Sequence, residues 1–407
     1  MNLGLYIHIP FCRAKCYYCD FLSFSDNTLE KKYIDALITE LKIYSKNLGD
    51  RKIDTIFIGG GTPSALQPES LFSICEAVEQ YFTLSTNLEW TIEANPATLS
   101  PAKLPILKNS RINRVSLGLQ STNNEILKKI GRIHTFEDWQ KTVNDLFEIG
   151  ITNINTDLMF ALPDQTLSAW QNTLIEVCKF DISHISAYSL ILEDNTRLSA
   201  EYKSGRYKVT PEELDRQMYS EAKRILNTYG FRQYEISNWA RDNKLCRHNM
   251  IYWTLDEYIG LGLGASGYIN NIRYTNTTNL KKYIQELTKD DISYVIEEKN
   301  LDDMLHVIEE KNLDDMLHII EEKNLVTMKM SIEEFMFLGL RLSNGISKDE
   351  FRKRFGIDIK SVYKNEIAKW LAEKALLEND SYFYLTNFGI DISNTVFASF
   401  LDPLITE

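Results

Sequence analysis

No run in the 407 residues approaches the roughly 18 apolar residues that a membrane-spanning helix needs. The N-terminal stretch "MNLGLYIHIPFC" has neither the basic region nor the long apolar region of a secretory signal. Basic charge is also short: 45 Lys and Arg stand against 57 Asp and Glu, a net charge of −12, which makes nucleic acid a poor main partner. Cysteines number six. Without a membrane segment or an export signal the expected compartment is reducing cytoplasm, where clustered cysteines bind metal or do redox chemistry more often than they form disulfides. What the chain does have is core material. At 44% hydrophobic and 11% aromatic it can bury two or three domains, or one large domain and an appendage.

Strand-like and helix-like stretches alternate over the first 230 residues. Strands are expected at 3–9, 53–64 (a strand running into a glycine-rich turn), 88–96, 112–121, 151–163 and 182–192, with helices near 28–48, 68–82, 101–109, 123–130, 137–149, 167–178 and 211–229. At least six β-then-α units imply a parallel sheet with crossover helices, an α/β fold. The C-terminal ends of the strands carry the chemically unusual residues: the glycines at 59–61, Glu93, Gln120, Asp157 and Tyr188. In β/α barrels the chemistry sits at those ends.

The segment "VIEEKNLDDMLH" occupies 295–306, repeats identically at 307–318, and begins again as "IIEEKNL" at 319–325. Each unit reads as a short helix, with Asn300 or Asn312 as N-cap. A 12-residue period turns the apolar stripe by about 120° per copy, so one straight helix would not keep it on one core. Two or three short helices, or a partly exposed insertion, are expected. Beyond it, 328–407 reads as a compact α-rich module, with a helix stopped at Gly345, another over 361–378 and a strand at 382–386. That order suggests a winged-helix-like shape. Its 10 Lys and Arg against 12 Asp and Glu favour a lid or packing role over DNA binding.

Half of the cysteines, Cys12, Cys16 and Cys19, fall in "FCRAKCYYCDF" in the pattern C-x3-C-x2-C. Cys75 and Cys178 read as helix-core residues. Three thiolates from one loop wrap a single metal centre. A structural zinc wants four closed ligands, and His8 on the preceding strand is a candidate fourth. An iron–sulfur cluster fits better: cubane clusters normally take four thiolates, and three leave one iron open for a ligand.

The stretch "YIHIPFCRAKCYYCDF" resembles the cluster loop of radical S-adenosylmethionine (SAM) proteins. Together with "GGGTPS", "EANP", "SLGLQS", "GRIHT", "DLMFALPDQT" and "GLRLSNG", it is similar to the oxygen-independent coproporphyrinogen III oxidase-like branch, over nearly the whole chain except the repeat. The resemblance implies a partial (β/α)6 barrel over 1–240 with the cluster loop at 9–21. A connecting segment at 241–290, the repeat insertion at 295–325 and the C-terminal module at 328–407 would follow. It implies a [4Fe–4S] cluster on Cys12, Cys16 and Cys19, with SAM on the open iron and cleaved to a 5′-deoxyadenosyl radical by an electron from a donor. Carried over by position, Tyr6 and Tyr18 flank the cluster, and Gly60, Gly61 and Thr62 form the turn that meets SAM's amino group. Glu93 accepts from the ribose hydroxyls, and Gln120, Arg132 and Asp157 line the rest of the cavity.

Two groups share this scaffold: the oxidases of porphyrin biosynthesis and the HemW-type proteins, regarded as heme chaperones. Three features resemble the second group. Phe21 stands where the oxidase loop usually has a fourth cysteine. Only five residues precede Tyr6, where the oxidase has a long extension. "RHNMIYW" at 247–253 matches the group's H-N-x-x-Y-W motif. The resemblance implies heme contact by His248, Asn249, Tyr252 and Trp253, with Cys246 as a further candidate, and delivery of heme to acceptor proteins, any membrane contact being through an acceptor. Anaerobic coproporphyrinogen III oxidation is the alternative. Two departures stand out: Ala161, where the family usually has glycine, and Leu263, where proline is common.

Overall fold

Near-continuous apolar runs mark strands buried on both faces, which a parallel sheet under helices requires. The computed structural model describes residues 3–46, 48–289 and 318–403. Six strand and helix pairs come first in the chain: β1 (Leu3–Ile9) with α1 (Glu30–Lys46), β2 (Ile53–Gly60) with α2 (Pro68–Tyr81), and β3 (Leu84–Ala94) with α3 (Leu104–Asn109). Next come β4 (Arg114–Gln120) with α4 (Asn124–Lys129) and α5 (Phe136–Glu148), and β5 (Asn153–Phe160) with α6 (Leu167–Cys178). The sixth is β6 (His184–Ser189) with α7 (Arg197–Lys203) and α8 (Glu212–Thr228). These strands lie side by side in chain order and pair in parallel, so the expected (β/α)6 arrangement is present. The short helix α7 was not expected; Thr196 caps it by accepting from the Ser199 N–H.

Further strands, all but one antiparallel, widen the sheet at both ends. On one side are β7 (Arg232–Glu235) and β8 (Asn238–Ala240), the latter paired with β6. After α9 (Arg247–Trp253) the chain crosses to the other edge. There β9 (Glu257–Leu261) runs parallel to β1 and is followed by β10 (Ser266–Ile269), β11 (Ile272–Asn276), α10 (Leu280–Leu287) and β12 (Ile320–Leu325). Among the described residues the sheet has twelve strands and two free edges, an open barrel. Its core holds Trp90, Trp139, Trp170 and Trp239, all fully buried. Trp170 also donates from Nε1 to the Met218 carbonyl at 2.8 Å and fastens α6 to α8. Truncating such a side chain typically costs about 3–5 kcal/mol.

The repeat gave one wrong expectation that the structure reaches. The third unit, 319–325, is not helical: it is edge strand β12, paired antiparallel with β11. Ile319 is buried, Ile320 is half-buried against the core and 321–325 are solvent-facing, so ladder hydrogen bonds outweigh helix propensity there. Its exposed charges suit an edge that must not recruit another strand. The two full copies at 295–318 lie outside the described residues except for His318.

The C-terminal module starts with α11 (Met328–Gly339), which ends six residues before the expected stop. Gly345, at φ +70°, instead forms the turn before β13 (Ile346–Ser347). The helix expected over 361–378 is divided. Tyr363, at φ −122° and ψ 39°, separates helices Ile359–Val362 and Lys364–Ala372, and Lys374, at φ +59°, reverses the chain into strand β14 (Leu376–Glu378). With β15 (Tyr382–Leu385) this makes a three-stranded sheet against helices, the winged-helix-like shape expected. The module is tied to the barrel near both ends of its sheet, at edge strand β7 and at β11 beside edge strand β12. The Ser343 N–H donates to the Tyr234 carbonyl at 2.9 Å on the β7 side. On the other side Arg273 of β11 forms a two-pronged ion pair with Glu334 at 2.5 and 2.8 Å.

The two departures have local explanations. The Leu263 N–H donates to the buried Tyr33 hydroxyl at 3.0 Å, a bond proline would lack. Ala161 has φ +58°, the left-handed region in which glycine carries no Cβ penalty. Among the described residues no helix is long and apolar enough to cross a membrane. Ala161→Gly is expected to stabilise the protein by about 1 kcal/mol, the relief of left-handed strain exceeding the entropy that glycine adds to the unfolded chain. Denaturant titration checks this; a lowered midpoint would contradict it.

Candidate functional site

The cluster loop leaves the carboxyl end of β1 and is clamped at its neck. The Cys12 N–H donates to the Phe24 carbonyl at 2.9 Å and the Phe24 N–H to the Pro10 carbonyl at 2.7 Å. Its tip is tied to two other strand-end loops. The Tyr17 N–H donates to the Ile130 carbonyl at 3.0 Å, and the Tyr17 carbonyl accepts from the Leu198 N–H at 2.7 Å. Arg197 covers the Tyr17 ring at 3.6 Å.

The glycine turn after β2 is stitched to the same neck: Gly61 and Thr62 donate to the Ile9 and Phe11 carbonyls, both at 2.8 Å. The glycines were expected to let a ligand approach the backbone. The structure gives a further reason. A Cβ on Gly60 would stand 2.3 Å from the His8 ring, and Gly60 has φ +105°; a Cβ on Gly61 would stand 2.8 Å from both the Ile9 and Phe11 carbonyl oxygens. Bare backbone lets the turn lie flat on β1 and the cluster loop.

Cys12, Cys16 and Cys19 surround a cavity of about 150 Å³. Tyr18, Gly60, Gly61, Thr62, Glu93, Gln120, Arg132 and Asp157 line the same cavity, so these expected residues are brought together. Thr62 Oγ1 lies 3.4 Å from Cys12 Sγ, and Arg132 Nη1 lies 3.3 Å from Cys16 Sγ. Burial pushes the Cys12 thiol up, and pushes Cys19 up to about 11. Burial opposes the charge on Arg132, but Tyr18 and Cys16 beside it hold it protonated above its usual range. Its Nη2 donates to the Gly118 carbonyl, while its Nε is buried without a partner. Among the described residues no three His, Cys, Asp or Glu side chains converge on one ion position. Three soft donors held apart around a cavity, beside a fixed positive charge, suit a cluster whose thiolates each take a different iron. A lone tetrahedral ion suits them poorly. His8 is not available as a fourth ligand. Its Nε2 donates to the Leu22 carbonyl at 2.9 Å, and Nδ1 accepts from the Tyr6 hydroxyl at 3.0 Å.

Glu93 accepts from the Gly60 N–H at 3.0 Å. Burial, followed by repulsion from Asp157, pushes its carboxyl up to about 7. Burial also raises Asp157, against hydrogen bonds from Asn155 Nδ2 at 2.8 Å and Ser116 Oγ at 3.2 Å. Gln120 ends β4 at φ +73°, a region that costs a non-glycine residue about 1–3 kcal/mol and that clusters at ligand sites.

A second cavity of about 580 Å³ adjoins the first and shares Tyr18, Glu93, Gln120 and Asp157 with it. Tyr6 lines this larger space rather than the thiol cavity. Its walls are aromatic, with Tyr6, Phe57, Tyr188 and Tyr252; Phe21, Tyr188 and Ile191 stand 62%, 39% and 70% exposed.

The heme expectations fare unevenly. His248, Asn249 and Tyr252 line the second cavity. His248, however, presents no free nitrogen: Nδ1 pairs with Thr55 Oγ1 at 2.8 Å and Nε2 with the Tyr252 hydroxyl at 2.9 Å. Burial lowers its pKa to about 3, so the ring is neutral. Trp253 faces away from the cavity lining and lies under Arg341 of the C-terminal module, 4.5 Å from its ring. Cys246 is buried against Glu89, 3.9 Å from its carboxylate, and does not line the cavity. Residues not singled out from sequence also face the cavity: Arg114, Ser116, Asn155 and Ser186. Their signal was present. Arg114, Ser116, Gly118 and Gln120 alternate along β4, as Asn155 and Asp157 do on β5 and Ser186 and Tyr188 on β6, polar inward positions in otherwise apolar strands.

An open (β/α)6 barrel with three loop thiols at its strand ends defines a radical SAM protein, and the radical SAM superfamily model matches residues 6–177. The HemN C-terminal domain model matches residues 326–392. The chain is 36% identical over 402 residues to the heme chaperone HemW of Bacillus subtilis (strain 168), covering 98% of this chain and 99% of that one. It is 34% identical to the heme chaperone HemW of Lactococcus lactis subsp. lactis (strain IL1403), covering 97% and 96%. The structure of coproporphyrinogen III oxidase (HemN) from Escherichia coli superposes with a TM-score of 0.80 at 20% identity, over 98% of this chain and 90% of that one, a likeness of fold. The chain belongs to the HemW family of radical SAM proteins. The superfamily is characterised by a [4Fe–4S] cluster and SAM.

Proposed function

We propose that the protein binds heme and hands it to acceptor proteins in the cytoplasm, using a radical SAM site as part of the binding machinery. Supporting this reading is the family it belongs to, whose relatives are named heme chaperones. The observation that carries it is the exposed apolar mouth of the larger cavity, formed by Phe21, Tyr188 and Ile191. Radical chemistry favours a site closed to water. A carrier needs an entrance that a partner can reach, and exposed apolar groups rimming a cavity suit a flat apolar cargo.

Cys12, Cys16 and Cys19 would hold the [4Fe–4S] cluster, with Arg132 balancing its negative charge. When bound, the cluster supplies one-electron chemistry and requires an electron donor as partner. SAM would lie between the glycine turn and Glu93: the peptide groups of Gly60, Gly61 and Thr62 on its amino end, and Glu93 accepting from its ribose hydroxyls. Tyr6, Tyr18, Gln120 and Asp157 would complete the walls. Heme would occupy the larger cavity against Tyr252 and Asn249. His248 would position Tyr252 through their hydrogen bond; serving as an axial ligand would break it or the bond to Thr55. Contact with a membrane would come only through an acceptor, and the net charge of −12 argues against nucleic acid as a partner.

Cys16→Ala is expected to abolish the visible iron–sulfur absorbance of anaerobically reconstituted protein while leaving its far-ultraviolet circular dichroism in place. Cluster iron retained at the wild-type level would contradict the ligand assignment. Glu93 must be ionised to accept two hydroxyl hydrogen bonds. With its pKa at about 7, SAM affinity should rise with pH, by up to about tenfold from pH 6 to pH 8, as the carboxyl loses its proton. Equilibrium dialysis at the two pH values checks the slope. Glu93→Gln should bind weakly with little pH dependence, and an unchanged slope in that variant would contradict the role.

A further inference from the structure

Arg114 stands at the start of β4, at the inner end of the larger cavity, and is 2% exposed. A buried guanidinium is normally paired, because an isolated buried charge costs several kcal/mol. This one is not. Its Nε is buried with no hydrogen-bond partner, and among the described residues its guanidinium forms no ion pair and donates no hydrogen bond.

The carboxylates whose charge acts on it, Glu89 and Asp157, are committed elsewhere. Glu89 accepts from the Arg247 and His248 backbone N–H groups, both at 3.0 Å, at the start of α9. Asp157 is held by Ser116 and Asn155. Burial opposes the charge on Arg114, but Cys246 and Glu89 nearby keep it protonated. The cavity is therefore amphipathic. Its walls are aromatic, and its inner end holds a permanent cation with open donors beside the polar side chains of Ser116, Asn155 and Ser186.

We propose that Arg114 receives a carboxylate of the bound tetrapyrrole, so that a propionate points into the barrel while the ring lies against the aromatic walls. This rests on the heme-binding reading given above. Guanidinium and carboxylate match in shape and charge, and the pairing restores what burial removed. SAM also carries a carboxylate. Six residues of strand, about 20 Å, separate Arg114 from Gln120 at the thiol end of β4, which favours the larger ligand.

The test compares hemin with hemin dimethyl ester, which has the same ring and no free carboxylate, by titration of cluster-loaded, full-length protein. Wild type should bind hemin at least about tenfold more tightly than the ester, the scale of one charged hydrogen-bonded pair. Arg114→Met should remove that preference by weakening hemin alone. Equal wild-type affinities would overturn the proposal without any variant, and so would an Arg114→Met protein that keeps the preference. Weakened SAM binding in the variant with the hemin preference intact would assign Arg114 to SAM's carboxylate and overturn it too. A wild-type protein that binds neither porphyrin would overturn the heme-binding reading itself, a different result from equal binding of both.

Discussion

The structure depends on one seam, the stitching of the glycine turn after β2 to the neck of the cluster loop after β1. Two backbone hydrogen bonds of 2.8 Å make it, and they form because Gly60 and Gly61 place no carbon between the two segments. The seam fixes Cys12 relative to Thr62. Because His8, Tyr6 and Leu22 are hydrogen-bonded in a row beside it, it also fixes the wall shared by the thiol cavity and the larger cavity. A loop that carries three thiols is useful only if its shape exists before the metal arrives, and here backbone bonds to three different strand ends provide that shape.

The second constraint is the open barrel. A parallel sheet of β9 and β1 to β6, extended by antiparallel strands, leaves two edges, and exposed edges invite pairing with other chains. The C-terminal module holds the β7 edge through Ser343 and Tyr234 and ties to β11, the strand next to the charged β12 edge, through Glu334 and Arg273. It packs on Trp253 at the end of α9 and on Leu255 just beyond, at the amino ends of β1 and β9, and so it braces the barrel rather than covering the mouth at Phe21 and Ile191. The helix α9 is held between barrel and module. That explains how its motif divides: His248, Asn249 and Tyr252 face inward, and Trp253 faces the module.

Much of this was legible in the sequence. The six β/α units, the strand-end glycines and carboxylates, and the three-thiol loop follow from local periodicity and short spacing, and the structure puts Gly60, Gly61, Glu93, Asp157 and the three thiols around two adjoining cavities. What was not legible depends on tertiary partners. The sequence "IIEEKNL" has helical spacing, but β11 offers it a ladder and it becomes a strand. His8 and His248 look like ligands until their hydrogen-bond partners, Leu22, Tyr6, Thr55 and Tyr252, are seen to use all four ring nitrogens. Arg114 was passed over because a lone arginine in a strand carries no signal until its neighbours prove to be occupied. Alternation of polar residues along β4, β5 and β6 was the pattern that would have found it.

The most direct test of the central claim is anaerobic turnover. Cluster-loaded protein is incubated with coproporphyrinogen III, SAM and a reductant, its hemin binding is measured on the same preparation, and the tetrapyrroles are separated by chromatography. The account predicts stoichiometric hemin binding with no decarboxylated product. Protoporphyrinogen accumulating over many turnovers would contradict it and make the protein an oxidase.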